Sequence, residues 1–444
     1  MIDKYVYYMQ VASDLTKRYI PFLILFAFAV ILICYIHERK HNNSKKLVRY
    51  SLKEPEGIIF GKKKNGLGYV YSKFQDEGHC IFLGGSGCGK TSACLLPVIR
   101  SIKNTSTKIL AMDIAGDITS NVPNLPHKLV FDPYDSNTVV YDVFGVIKIL
   151  ADQREQQNEL MNLAFLIMPN PTNDSDGANH FFVSEGRKIL ISSLLAYYKE
   201  KSFIEICEKI IGSSWKDLFY DIDSRHNQLA GSFLNSFQGC SERNTAGCKQ
   251  ALDQALTLFA TNDFVKQALT LTEGKKVFMA RSIEEKNILL HIPDSKLELL
   301  APVIRIINAQ ILAYLADRPS EYVHPIIICL DEFTSLKIDI TDSLRKLRKR
   351  HTRICVFTQG INDLNIVSKS RAEAETMIAN FKFKVILQAG SPDDQHFISR
   401  MIGHSEEDPA RMAVQDEELD RLGEDLILLY PGDWMRLRKN YYYK

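Results

Sequence analysis

The sequence predicts an α/β protein in which a doubly wound parallel sheet of the P-loop type carries an inserted all-α domain and follows one N-terminal transmembrane helix. Three observations predict it. The string GGSGCGKT at residues 84–91 lies between a short apolar run and a helical pattern. The runs in EYVHPIIICLDEF and RICVFTQ are continuously apolar, as strands buried on both faces of a parallel sheet must be. Residues 146–272 then change character, showing helical spacing and few strand runs. At 444 residues, 45% apolar and 24% charged, the composition is globular and excludes a disordered, collagen-like or low-complexity chain. Fifty-five Lys plus Arg against 53 Asp plus Glu leave a net charge of +2, so any nucleic-acid contact must come from a local cluster. Nine cysteines without a C-x-x-C pair, mostly inside apolar runs, read as buried thiols in a reducing compartment, not as a disulfide framework or zinc site.

Residues 1–18 are expected to be a short extracytoplasmic N-terminus. Residues 19–36 (YIPFLILFAFAVILICYI) carry no charge over 18 positions, about 27 Å as a helix, enough to cross a bilayer core. A cleaved signal is the rival reading, but Asp3 and Asp14 precede the segment and no small-x-small site follows. In the basic juxtamembrane linker, residues 37–53, five Lys or Arg follow it closely (Arg39, Lys40, Lys45, Lys46 and Arg49) against three before it, which orients the body toward the cytoplasm. Residues 54–145 and 273–444 read as two parts of one nucleotide-binding domain. Residues 146–272 between them place Leu190, Leu194 and Tyr197 on one helical face and are broken by PNPTNDSDG. That insert has 12 basic and 15 acidic residues, net −3, a poor match for a phosphate backbone and a better one for protein recognition. His180, Phe181, Phe182 and Trp215 are either exposed anchors or core aromatics there.

The string at 84–91 fits G-x-x-x-x-G-K-[ST] at every fixed position, and the candidate nucleotide-binding residues are Gly84, Gly85, Ser86, Gly87, Cys88, Gly89, Lys90, Thr91 and Ser92. Glycines let backbone N–H groups turn in around the β-phosphate, Lys90 neutralises β- and γ-oxygens, and Thr91 offers a hydroxyl to Mg2+. The ligand expected is ATP with Mg2+. Asp331 is the second metal candidate, and Glu332, next to it, would polarise the attacking water. Asp113, ending ILAMD, is the alternative acid, but it lacks a trailing Glu. Gln359, one strand further on, is a candidate γ-phosphate sensor. The run DSLRKLRKRHTR packs Arg345, Lys346, Arg348, Lys349, Arg350 and Arg353 into nine positions. It is read equally as a solvated helix face, as the source of an arginine finger, or as the lining of a channel for a phosphate backbone.

Taken in order, GGSGCGKT, ILAMDIAGD, LVFDPYD, NHFFVSEGRKILISSLLAYY, NILLHIP, CLDEF and IANFKFKVILQAGSPDDQHFISRMIG resemble the type IV secretion coupling proteins, the TraG/TraD-like ATPases of conjugation. The resemblance covers the chain from about residue 57 onward. It implies a RecA-like motor domain in the cytoplasm, tethered to the bacterial inner membrane, with an all-helical insert and a homo-hexameric ring at the base of the secretion channel. Partners would be the channel components, and cargo a relaxase-bound single DNA strand, secreted effector proteins, or both. By position it assigns Lys90 and Thr91 to the Walker A pair, Asp331 and Glu332 to the Walker B pair, and Gln359 to the glutamine after the next strand. Arg348 falls on the finger arginine, with Arg350 close enough to be the true one. The chain departs from many members in showing one hydrophobic segment instead of two and no long acidic tail after RLRKNYYYK. Two alternatives stand beside the motor: a nucleotide-gated substrate receptor without motor activity, and an FtsK-like DNA translocase outside any secretion system.

Overall fold

The computed structural model describes residues 47–443 apart from residues 115, 172–176, 332, 339 and 369. The expected N-terminus and membrane span, residues 1–36, and most of the linker lie outside the described residues. The chain divides into two units, residues 1–51 and 52–444. The described part of the first contains the short strand Arg49–Ser51.

The second unit is built on a mixed sheet. In chain order its strands are β1 (Ile58–Lys62), β2 (Tyr69–Ser72), β3 (Cys80–Leu83), β4 (Lys108–Asp113), β5 (Lys128–Phe131), β6 (Asn287–His291), β7 (Ile326–Asp331), β8 (Thr352–Thr358), β9 (Phe383–Ile386), β10 (Asp425–Tyr430) and β11 (Asp433–Arg438). In space they run β2-β1-β11-β10-β9-β3-β8-β7-β4-β6-β5. From β9 to β5 every pairing is parallel. Burial explains that core: Ile326 to Leu330 of β7 and Ile354 to Phe357 of β8 are almost wholly removed from water, and each such side chain stabilises the fold by roughly 1.5–3 kcal/mol. Phe82 and Phe357, directly opposite in register, stack with ring centroids 4.6 Å apart, a cross-strand aromatic pair.

The sheet departs from the purely parallel one expected. β10, β11, β1 and β2 extend it antiparallel. The Pro431-Gly432 turn, with Gly432 at φ +85°, is short enough to join two antiparallel neighbours, whereas parallel ones need a long crossover.

Helices cover the faces. A π-helical turn, Lys90–Leu95, runs directly into α1 (Leu96–Ser101) behind β3. Between β5 and β6 lie α2 (Gln153–Ile167), α3 (Gly177–Tyr197), α4 (Phe203–Gly212), α5 (Trp215–Ser224), α6 (Gln228–Leu234), α7 (Glu242–Thr261) and α8 (Asp263–Leu269). Leu190, Leu194 and Tyr197 are buried together on α3. The caps follow from sequence: Ser202 and Glu205 form a reciprocal capping box on α4. Phe182 packs onto Gly247 of α7, Phe181 is 41% exposed, and Trp215 meets Phe219 edge-on. One continuous apolar core links these helices to the sheet. Helix α9 (Leu297–Ala316) is long and apolar; among the described residues the segment Asp294–Ala316 alone meets the length and composition of a membrane span, but 56% of its 18-residue apolar stretch is buried inside the protein.

Two side chains pin the N-terminal end of β3. Arg353, expected among the exposed cations, is instead 2% exposed. Its guanidinium donates to the carbonyls of Gly78 (2.7 Å) and Lys73 (2.8 Å) and to Ser72 Oγ (2.9 Å). The run of positive charge leaves the helical turn and enters β8 at Thr352, a strand buried along its whole length, which takes Arg353 out of water. His79 accepts from the Ile354 N–H at Nδ1 (2.9 Å), which leaves Nε2 as the donor to the Leu344 carbonyl (2.9 Å). Burial foremost, with Arg353 and Arg348 nearby, pushes the His79 pKa down to about 4.

The folded pKa lies below the unfolded one, so this group favours the fold fully above about pH 6.5 and loses that contribution as pH falls toward 4. We expect the protein to lose about 2 kcal/mol from this source between pH 7.5 and pH 5. Urea unfolding of wild type and His79→Gln at both pH values measures it. A pH dependence of the same size in the variant would refute the assignment to His79.

Candidate functional site

β3 ends in the loop that its sequence requires. Gly84 donates its N–H to the Thr358 carbonyl of β8 (3.1 Å), and a Cβ at Gly84 would overlap Cys88 Sγ, so the Cys88 side chain closes the loop from behind. Gly89 sits at φ +98° at the head of the helical turn, a conformation that non-glycine residues adopt only with strain. Lys90 folds back over the loop, its Nζ donating to the carbonyls of Gly84 (2.6 Å) and Gly85 (3.2 Å). The loop borders a cavity of about 630 Å³ lined by Gly85, Ser86, Gly87, Gly89, Lys90, Thr91 and Ser92.

Strand order completes the cavity. β8 separates β3 from β7, and in register Leu83 stands opposite Thr358 while Phe357 stands opposite Asp331. Gln359, one residue beyond β8, and Asp331, at the end of β7, therefore open onto the same cavity as the loop. Behind Gln359 the buried Asp394 accepts from the Ile361 N–H (3.0 Å). A Cβ on Gly360 would stand 2.7 Å from the same carboxylate, so Asp394 fixes the turn that presents Gln359. Burial raises the Asp394 carboxyl above the ordinary range.

Asp113 also borders the cavity, but its carboxylate accepts from the Ile118 N–H (3.0 Å), the Thr119 N–H (2.8 Å) and Thr119 Oγ1 (2.6 Å). It holds the first N–H groups of the short helix Asp117–Asn121. Thr91 and Asp331 give an all-oxygen donor pair, the chemistry Mg2+ selects.

Of the sequence candidates, Gly85, Ser86, Gly87, Gly89, Lys90, Thr91, Ser92, Asp331 and Gln359 come together, while Gly84 and Cys88 form the loop's inner side. Glu332 lies outside the described residues. Arg348 belongs to the turn Leu347–Lys349 before β8. Its Nε lies 3.8 Å from Glu77 on the turn before β3, so it occupies the edge of the sheet opposite the loop, about 20 Å away along a seven-residue strand.

Further lining residues escaped the sequence reading: Asp117, Asn121, Asp294, Tyr442 and Tyr443. Gln388, after β9, also stands against the loop, its Oε1 3.3 Å from where a Cβ on Gly85 would lie. The only sequence signal for the aromatic pair is the run NYYY, and no spacing rule ties it to the loop.

A family model described as the type IV secretion-system coupling protein DNA-binding domain matches residues 67–416. The fold is similar to the bacterial conjugative coupling protein TrwBΔN70 in an unbound monoclinic form, at TM-score 0.67 and 17% identity over 85% of this chain and 88% of that one. It is similar also to the plasmid coupling protein TrwB in complex with a non-hydrolysable ATP analogue, ADPNP (TM-score 0.65, 18% identity, 82% and 85% of the two chains). TrwB in complex with ADP and Mg2+ gives TM-score 0.64 and 18% identity over the same shares. No curated protein sequence matches the chain.

Proposed function

The chain belongs to the type IV secretion-system coupling protein family, and from that premise we propose that it is a membrane-anchored ATPase that recruits transfer substrates and drives them into a secretion channel. The observation that carries this reading is the meeting of a complete phosphate loop with Asp331 and Gln359 on two successive neighbouring strands. Backbone N–H groups of the loop and the Lys90 ammonium hold the β- and γ-phosphates of ATP. Thr91 and Asp331 hold Mg2+, which, when bound, neutralises charge developing on the phosphates. Gln359 and Glu332 orient and polarise the attacking water at the γ-phosphate.

The related TrwB structures with an ATP analogue and with ADP and Mg2+ support the choice of ligand. Arg348 stands at the far end of β8 from the cavity of its own chain. The ring, a homo-hexamer in this reading, completes each site with Arg348 from the neighbouring subunit. The uncharged segment 19–36 anchors the ring in the inner membrane, residues 146–272 recognise relaxase or effector protein, and the basic edge meets single-stranded DNA. The test is the ATPase rate per subunit. It is expected to rise several-fold with protein concentration and again with single-stranded DNA, as assembly and substrate each complete the site. A specific rate indifferent to both would defeat the motor reading.

A further inference from the structure

One wall of the cavity is aromatic, and nothing in the phosphate chemistry explains it. Tyr442 is held at three points: its N–H donates to the Ser92 carbonyl (3.0 Å), its carbonyl accepts from Arg100 Nη1 (2.7 Å), and its Oη donates to Asn121 Oδ1 (2.8 Å). Tyr441 packs on the loop itself, with Cε1 3.1 Å from the position a Cβ on Gly89 would take. Tyr443 stacks on Tyr441 with centroids 5.4 Å apart and planes 28° apart, and meets Tyr442 edge-on at 5.2 Å. It lines the cavity yet remains 61% exposed. An exposed aromatic ring fixed by two others presents apolar π-surface to whatever the cavity takes.

The polarity of the loop says which part of a nucleotide that is. Lys90 and Thr91 act at the β- and γ-phosphates, and Asp331 and Gln359 mark the γ-phosphate end. Tyr442 instead pairs with Ser92, the next residue along the helix, and reaches Asn121 on the opposite flank, so the tyrosines stand where the chain of phosphates leads into ribose and base. Asn121, the amide on that wall, is already committed: Oδ1 accepts from Tyr442, and Nδ2 donates to the Asp117 carbonyl (2.8 Å).

We propose that the Tyr443 ring, positioned by Tyr441 and Tyr442, is the nucleobase platform of this site and selects by stacking area, favouring purine over pyrimidine nucleotides with little distinction between adenine and guanine. This deepens the proposed ATP site and rests on it. Titration calorimetry on the purified full chain with Mg2+ and ATP, GTP, CTP or inorganic tripolyphosphate tests it. ATP and GTP are expected to bind within about threefold of each other and CTP more weakly, since stacking is tolerant of base edges but scales with ring surface. Tyr443→Ala is expected to weaken ATP and GTP roughly 10-fold, Tyr443→Phe to restore them, and tripolyphosphate to bind wild type and both variants alike.

Tyr443→Ala binding ATP as tightly as wild type overturns the proposal. Tighter binding also overturns it, because the segment would then cover the cavity and not serve the base. Equal loss of ATP and tripolyphosphate in that variant points to a damaged loop and overturns it likewise. Failure of wild type to bind either ligand would instead refute the underlying ATP site.

Discussion

Replacing Arg348 by alanine is expected to lower ATP hydrolysis by roughly 10³-fold or more, the range in which arginine fingers act, while ATP affinity changes little. The location of the residue makes this a strong statement. Arg348 stands at the edge of the sheet from which β8 departs, whereas the proposed ATP site lies at the edge where β8 ends, about 20 Å away along the strand. Its ion pair with Glu77 spans 3.8 Å between groups 58% and 61% exposed, a contact contributing about 0–1 kcal/mol and readily exchanged for a phosphate. A side chain acting only across a subunit boundary has a signature that a structural residue lacks. Arg348→Ala and Lys90→Ala chains, each inactive alone, are expected to regain activity when mixed, because mixed rings contain boundaries with one intact site and one intact finger. Mixtures as inactive as their parents would sink the assignment. Full activity in Arg348→Ala with loss in Arg350→Ala would move the finger two residues on.

The fold was legible where chemistry is local. Continuous Ile, Leu and Val runs mark β4, β6, β7 and β8 because a strand covered on both faces admits few polar residues. The glycine spacing of the loop follows from backbone dihedrals and lack of space, both of which act within a few residues. Arg353 was not legible. Its partners at Gly78 and Lys73 are about 280 positions away in sequence, and a run of cations reads the same whether it continues a helix or enters a strand. The hairpin of β10 and β11 had its signal in LLYPGDW, a Pro-Gly turn between apolar stretches, but nothing local says that it extends the P-loop sheet. Tyr442 and Tyr443 illustrate the hardest case: they reach the cavity because β11 pairs with β1 and returns the chain across the first turn of the loop helix. Only the assembled sheet specifies that path.

Lys90→Ala is the second large effect, and it separates binding from folding. In the protein the Lys90 ammonium rests on two carbonyls of its own loop, Gly84 and Gly85. Both are backbone acceptors that solvent can serve in its absence, so unfolding in the absence of nucleotide is expected to change by no more than about 1 kcal/mol. With ATP the balance differs: the same ammonium faces phosphate oxygens carrying full charge, and charge-assisted bonds contribute about 1.5–3 kcal/mol each. Loss of two of them, one to each phosphate, weakens MgATP at least roughly 100-fold. MgATP at a hundred times its dissociation constant stabilises wild type by about 2.7 kcal/mol, a rise in melting temperature that Lys90→Ala should lack. Lys90→Arg should fail as well, since a planar guanidinium fork cannot replace a compact ammonium inside the loop. Equal nucleotide-induced shifts in wild type and Lys90→Ala, with matching melting temperatures before addition, would mean that the phosphates of ATP lie somewhere other than this loop.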